Sequence, residues 1–239
     1  MKAIFMYRKQ TDYCLDLLKL SISQWKKNFK NIDEVIICGD YSKAGEEELK
    51  KLGSVLNINI PLKYADTKTT RVNYQMVKAF DELKEPFLLC ANDVFPIQPI
   101  NEAYVNKEYK IRTENYEDFS RPAYWWIENY IKMLKHFKKR LGLECKTVYA
   151  GHSFYKVDAQ FIDFFRHDSF LMENCDRDMA LIHFLKSKGE NVFIPDFIGT
   201  TFDYGEWVWD DTKDYKGINV TMPANTKTQR ILNEIKKQN

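Results

Sequence analysis

Asp93 follows the short apolar run Phe87 to Cys90 almost at once, so a carboxylate stands where a strand buried on both faces should end. Open α/β sheets bind ligands outside the carboxyl ends of their strands, which makes Asp93 the first candidate for cation or ligand binding. Asn92 beside it offers a neutral oxygen or a hydrogen-bond partner. The competing use of Asn92-Asp93 is a turn before Phe95-Pro96, since both residue types favour turns. Tyr7-Arg8 closes a first apolar run and Asp40 a second, so both fall at the same kind of edge. Arg71 falls early in the segment before the acidic strand, where a guanidinium can hold a diphosphate through paired hydrogen bonds. The plainer uses are a strand-end salt bridge for Arg8, a turn for Asp40 and a solvated helix face for Arg71. His152 follows Gly151 and suits an acid–base group, a phosphate partner, a late metal ligand or a hydrogen-bonded structural residue.

These positions require strands and helices in alternation. Residues 3–7 read as a strand, and residues 11–29 as an amphipathic helix with Cys14, Leu18, Ile22, Trp25 and Phe29 on one face. Val35 to Cys38 is a second strand, and residues 44–52 a short helix stopped by Gly53. Val55 to Ile60 is a third strand closed by Pro61. A helix over 66–83, with Val72, Met76, Val77, Phe80 and Leu83 inward, leads to the strand Phe87 to Cys90. The alternation argues for a mostly parallel sheet with helices on both sides. Beyond Pro99 an irregular, Tyr-rich stretch precedes a helix over 123–141 that carries Trp125 and Trp126. Such an insertion suits a second substrate site. A strand over 147–149, a helix over 157–165, a helix over 176–188, a strand over 192–194 and a terminal helix complete the reading.

The chain has 239 residues, 44% hydrophobic and 29% charged, with a net charge of +2. That length suits one large α/β domain, and the charge is too small for a general nucleic-acid or membrane-surface binder. Five cysteines at scattered spacings form no Cys-x-x-Cys pair and read as reduced, buried thiols. No apolar stretch has the length of a signal peptide core or a membrane span, so a cytoplasmic protein is expected. The basic run Lys132 to Arg140 can face a polyanion, although such runs are usually solvated helix faces.

The order of pieces resembles the GT-A fold of nucleotide-sugar glycosyltransferases over roughly residues 3–200. Phe-Leu-Leu-Cys-Ala-Asn-Asp-Val-Phe is similar to that family's Asp-x-Asp region, and also to the Asn-Asp-Asp-x-Phe of Stealth-type sugar-phosphate transferases. Tyr149-Ala-Gly-His152-Ser-Phe-Tyr is similar to a His-containing segment of the latter. Val94 stands where those relatives carry a second acidic residue. The resemblance implies a three-layer α/β/α domain over 1–239, with a mostly parallel sheet and an acceptor-side helical insertion. Residues 1–100 would bind the nucleotide-sugar and residues 101–239 the acceptor.

It further implies Mn²⁺ or Mg²⁺ at Asp93, a nucleobase and ribose near Tyr7 and Asp40, and donor contacts from Arg8, Arg71 and Asn92. Asp176 and Asp178 resemble an acidic pair near the acceptor hydroxyl, where a carboxylate removes the proton. Their other use is helix capping and a favourable first-turn charge. The expected activity is sugar transfer from a nucleotide-sugar to a hydroxyl acceptor, a glycan first, with DNA or a protein side chain as further options. The alternatives are a Stealth-like sugar-phosphate transferase and a non-catalytic carbohydrate- or nucleic-acid-binding module on the same scaffold.

Overall fold

The computed structural model describes residues 1–8, 12–65, 68–102, 105, 127–142, 155–175, 180–181, 184, 187–188, 198–200, 211–212, 214–220 and 226–237. Its centre is a five-stranded sheet in the order β3-β2-β1-β4-β6, built from β1 (Lys2–Met6), β2 (Glu34–Gly39), β3 (Ser54–Asn57), β4 (Phe87–Cys90) and β6 (Tyr155–Val157). The first four strands run parallel and β6 is antiparallel to β4. Helices α1 (Asp12–Asn28), α2 (Lys43–Leu49), and α3 (Leu62–Ala65) with α4 (Lys68–Leu83) make the crossovers between the parallel strands.

The apolar runs form central strands because both of their faces are covered, and the register sorts their side chains by parity. Ala3 pairs with Val35 and with Leu88, while Ile4 pairs with Ile36 and with Leu89. Ala3, Phe5, Val35, Ile37, Leu88 and Cys90 pack with α1, where Cys14, Leu18, Ile22 and Trp25, and Phe29 just past its end, face inward as the spacing predicts. Ile4, Ile36, Cys38, Phe87 and Leu89 pack on the opposite face with Met76 and Val77 of α4 and with Met133 and Phe137 of α5 (Ile127–Leu141). Phe161, Ile162 and Phe165 of α6 (Ala159–Arg166) and Leu171 and Met172 of α7 (Ser169–Asn174) complete that cluster. Each cluster therefore joins residues from before and after residue 100.

A small second sheet lies outside the expected scheme. Its strands are β5 (Val94–Pro96), β7 (Ile198–Thr200) and β8 (Gly217–Asn219), in the order β5-β8-β7. Together with α8 (Thr226–Lys237), whose Ile231, Leu232 and Ile235 are buried, it adds to the α1 side of the core. The third strand stops at Asn57, short of the expected Ile60, because its partner β2 ends at Gly39. One further ladder bond, Ile58 N–H to the Gly39 carbonyl at 2.7 Å, closes the pairing. Strands over 147–149 and 192–194 fall outside the described residues. Among the described residues no helix is long and apolar enough to cross a membrane.

Cys14, Cys38, Cys90 and Cys175 are buried thiols outside any disulfide. Burial pushes the Cys38 thiol from its ordinary 9.0 up to about 12. Between those values the native state holds a proton that the unfolded state has lost, so stability is complete below pH 9 and falls as pH rises toward 12. Urea unfolding at pH 10.5 is expected to give a free energy lower than at pH 8 by about 2 kcal/mol from this thiol alone. In Cys38→Ala the difference should shrink by that amount; an unchanged difference would contradict the assignment.

Candidate functional site

The order of the sheet reverses at β1: β2 and β3 extend to one side and β4 lies on the other. The crevice beyond the carboxyl ends of β1 and β4 is the topological switch point, the place where open α/β sheets bind ligands. Register Phe5 to Cys90 brings Tyr7-Arg8 and Asn92-Asp93 to the two sides of this crevice.

Local polar contacts fix the acidic loop. On α1, the buried Ser21 hydroxyl donates to the Ala91 carbonyl at 3.2 Å, and the Asn28 amide to the Pro96 carbonyl at 3.2 Å. From the other side, Val220 N–H donates to the Asp93 carbonyl at 2.9 Å. Val94 and Phe95 are buried against α1, so the position of the second acidic residue in the resembling families is a core position here. The Asp93 side chain is half-buried and has no hydrogen bond or ion pair among the described residues. A turn-forming Asp bonds a nearby backbone amide with its carboxylate. The chain does bend at Asn92 and Asp93, as the turn reading expects, and the Asp93 carboxylate makes no such bond among the described residues. Burial first, and then the negative charge of Asp93, push the Tyr13 hydroxyl up to about 12.

Arg8 lies two residues beyond Met6, the end of β1, and Arg71 lies in the first turn of α4. Arg8 is exposed and Arg71 half-buried. Burial first, and then the positive charge of Arg8, hold Arg71 below the usual guanidinium range. The two side chains thus share one region. Neither forms a hydrogen bond or ion pair among the described residues.

Asp40 is exposed on the loop after β2. That loop is held by Asn57, whose Oδ1 accepts from Tyr41 N–H at 2.9 Å and whose Nδ2 donates to the Tyr41 carbonyl at 3.0 Å. Tyr41 hydroxyl donates to the Tyr7 carbonyl at 2.7 Å, tying the ends of β1 and β2 together. Gly39 makes this possible, since a Cβ there would lie 2.2 Å from the Tyr41 ring and 2.6 Å from the Tyr7 carbonyl oxygen. Tyr7 itself faces the core and is 3% exposed, so its ring offers no stacking surface while its neighbours stay in place. Its hydroxyl has no hydrogen-bond partner, and burial raises its ionisation well above the ordinary value.

Asn73, buried one turn into α4, donates toward the carbonyls of Leu171 at 3.3 Å, Met172 at 3.4 Å and Cys175 at 2.8 Å. It fixes the end of α7 at the point where the chain goes on to residues 176–178. Asp176, Asp178 and His152 lie outside the described residues, as do Trp125, Trp126 and the stretch 204–209. The lysines at 132, 135, 138 and 139 are exposed, whereas His136 and Arg140 turn to Asp168.

Among the described residues no three His, Cys, Asp or Glu side chains gather as a metal cluster. Asp93 with Asn92 gives one carboxylate and one amide oxygen. Such a set fits a hard cation only when phosphate oxygens complete its shell. The residues present therefore suit a cation that arrives with a phosphate ligand. No protein-family model matches the chain, and no curated protein matches it.

Proposed function

We propose that the chain is a GT-A-type glycosyltransferase that moves a sugar from a nucleotide-sugar to a hydroxyl acceptor. The observation that carries this reading is the set of charges at the switch point that have no ion pair among the described residues: Asp93 after β4, Arg8 after β1, Asp40 after β2 and Arg71 at the start of α4. Charged side chains at a partly covered edge are ordinarily paired with one another. Unpaired among the described residues and of both signs, they suit a ligand that carries phosphates and hydroxyls together.

In this reading Arg8 and Arg71 face the diphosphate, and Asp40 accepts from a ribose or base group. Asp93 and Asn92 are the protein ligands of Mn²⁺ or Mg²⁺, which supplies charge neutralisation for the departing diphosphate. The acceptor oxygen bonds to the anomeric carbon while the bond from that carbon to the diphosphate oxygen breaks. The hydroxyl proton passes to Asp178 or Asp176, whose segment leaves the Asn73 anchor, and His152 is a further acid–base candidate.

A screen of nucleotide-sugars for donor hydrolysis and transfer, with and without Mn²⁺, tests the reading. Release of nucleoside diphosphate is the expected product. Nucleoside monophosphate would point instead to the sugar-phosphate transferase, and donor binding without turnover to the binding module.

A further inference from the structure

We infer that the outer face of α5 is a docking surface for double-stranded nucleic acid, held by the phosphates of one strand without reading of the bases. From Lys132 to Arg140 the helix carries lysines, an arginine and a histidine and no acid. At 3.6 residues per turn this run divides into two faces. Met133 and Phe137 are buried in the core and Leu134 and Leu141 pack against it. His136 and Arg140, at the margin of that face, are taken up by Asp168, whose Oδ2 lies 2.6 Å from His136 Nε2 and 2.9 Å from Arg140 Nη1. Lys132, Lys135, Lys138 and Lys139 fill the remaining arc and are exposed. Of these, Lys132, Lys135 and Lys139 have no hydrogen bond or ion pair among the described residues. By contrast Lys50, at the end of α2, lies 3.1 Å from a Glu46 carboxylate oxygen and 2.8 Å from one of Glu47. Like charges three and four residues apart repel along a helix, and the row becomes favourable once an anionic polymer lies along it. The net charge of +2 does not report this face, because cations and anions nearly balance over the whole sequence.

Spacing and chemistry select the occupant. From Lys132 to Lys139 the helix advances about 10 Å, the axial span of about three successive phosphates on one strand of a duplex. Between Lys132 and Arg140 the exposed arc carries no ring on which the bases of a single strand could stack. The apolar residues of the same stretch all turn to the core, so this surface has nothing to insert among lipid headgroups. Fluorescence anisotropy of a labelled, mixed-sequence DNA duplex titrated with the full chain tests the inference. Saturable binding is expected at about 50 mM salt, weakened about fiftyfold at about 200 mM by the counterions that three contacted phosphates release. Replacing Lys132, Lys135 and Lys139 together by Gln should weaken binding at least tenfold and flatten the salt dependence, whereas replacing them together by Arg should keep affinity within about threefold. As a charge-matched control, replacing the exposed Lys26, Lys27 and Lys30 by Gln should weaken binding less than threefold, since α1 covers the opposite face of the sheet. Thermal midpoints of all three variants should stay within about 2 °C of the parent, because the replaced side chains are exposed. No binding of the duplex, equal losses in the two glutamine variants, a single strand bound more tightly than the duplex, or anionic lipid vesicles bound in its place would overturn the inference. Duplex binding with no turnover of any nucleotide-sugar would keep this face and remove the transferase, so the two readings fail separately.

Discussion

Asp93→Asn is expected to lower the turnover of the donor identified by screening at least about a hundredfold, which corresponds to about 3 kcal/mol of transition-state stabilisation. The substitution keeps shape and turn propensity and removes only the charge. Because the Asp93 side chain makes no hydrogen bond or ion pair among the described residues, unfolding free energy should stay within about 0.5 kcal/mol of the parent. Asp93→Ala should behave alike in turnover. Full activity in either variant would remove Asp93 from the chemistry, whatever the activity proves to be.

Asp168→Ala is expected to destabilise the protein by about 3 kcal/mol, the largest single-site loss outside the apolar core. Its carboxylate is 9% exposed and serves three partners. Oδ2 lies 2.6 Å from His136 Nε2 and 2.9 Å from Arg140 Nη1, and Oδ1 accepts from Leu171 N–H at 3.2 Å as the cap of α7. The His136 ring stacks on Phe170 at 4.3 Å, and Arg140 also donates to the Phe164 carbonyl at 2.9 Å, so one carboxylate joins α5 to both α6 and α7. Its removal strands a guanidinium and an amide at once. Helix capping alone contributes about 1 kcal/mol, and the charge-assisted bonds supply the rest. Thermal unfolding should shift by about 6–12 °C for a chain of this size. A shift below about 2 °C would mean that water replaces the carboxylate at little cost. Asp168→Asn, which can still cap α7, should lose about half as much.

The central strands and the helices between them were readable because their patterns are local. Phe87 to Cys90 emerges as a strand with the boundaries its apolar run gives, and α1 with Phe29 just past its end presents the five expected residues to the core. The second sheet was not readable, because strands of three residues such as Val94–Pro96 and Gly217–Asn219 are too short to carry a period. Tyr7 reads as a strand-end ring available to a ligand, yet alternation from Ala3 and Phe5 sends it to the α1 side of the sheet. The residues that shape the site, Ser21, Asn28, Asn57 and Asn73, are single polar side chains whose partners are distant in the chain. Asn73 and Cys175 are 102 positions apart, and no spacing rule reaches that far. Only the clue that Ser21 and Asn28 follow the inward positions of α1 hinted at buried polar work. That Arg8 and Arg71 have no ion pair among the described residues is likewise a property of three-dimensional surroundings.

The place of β4 in the sheet has a bearing on how the chain is made. A nascent polypeptide that has reached Cys90 already holds four parallel strands, but the outer rim of the fourth has no hydrogen-bonding neighbour until Tyr155–Val157 has been synthesised. All four residues of that rim strand are water-averse. Any shortened form of the protein ending before Tyr155 therefore carries a bare sheet edge of the kind that recruits other chains, and the long intervening stretch sets the delay before it is covered.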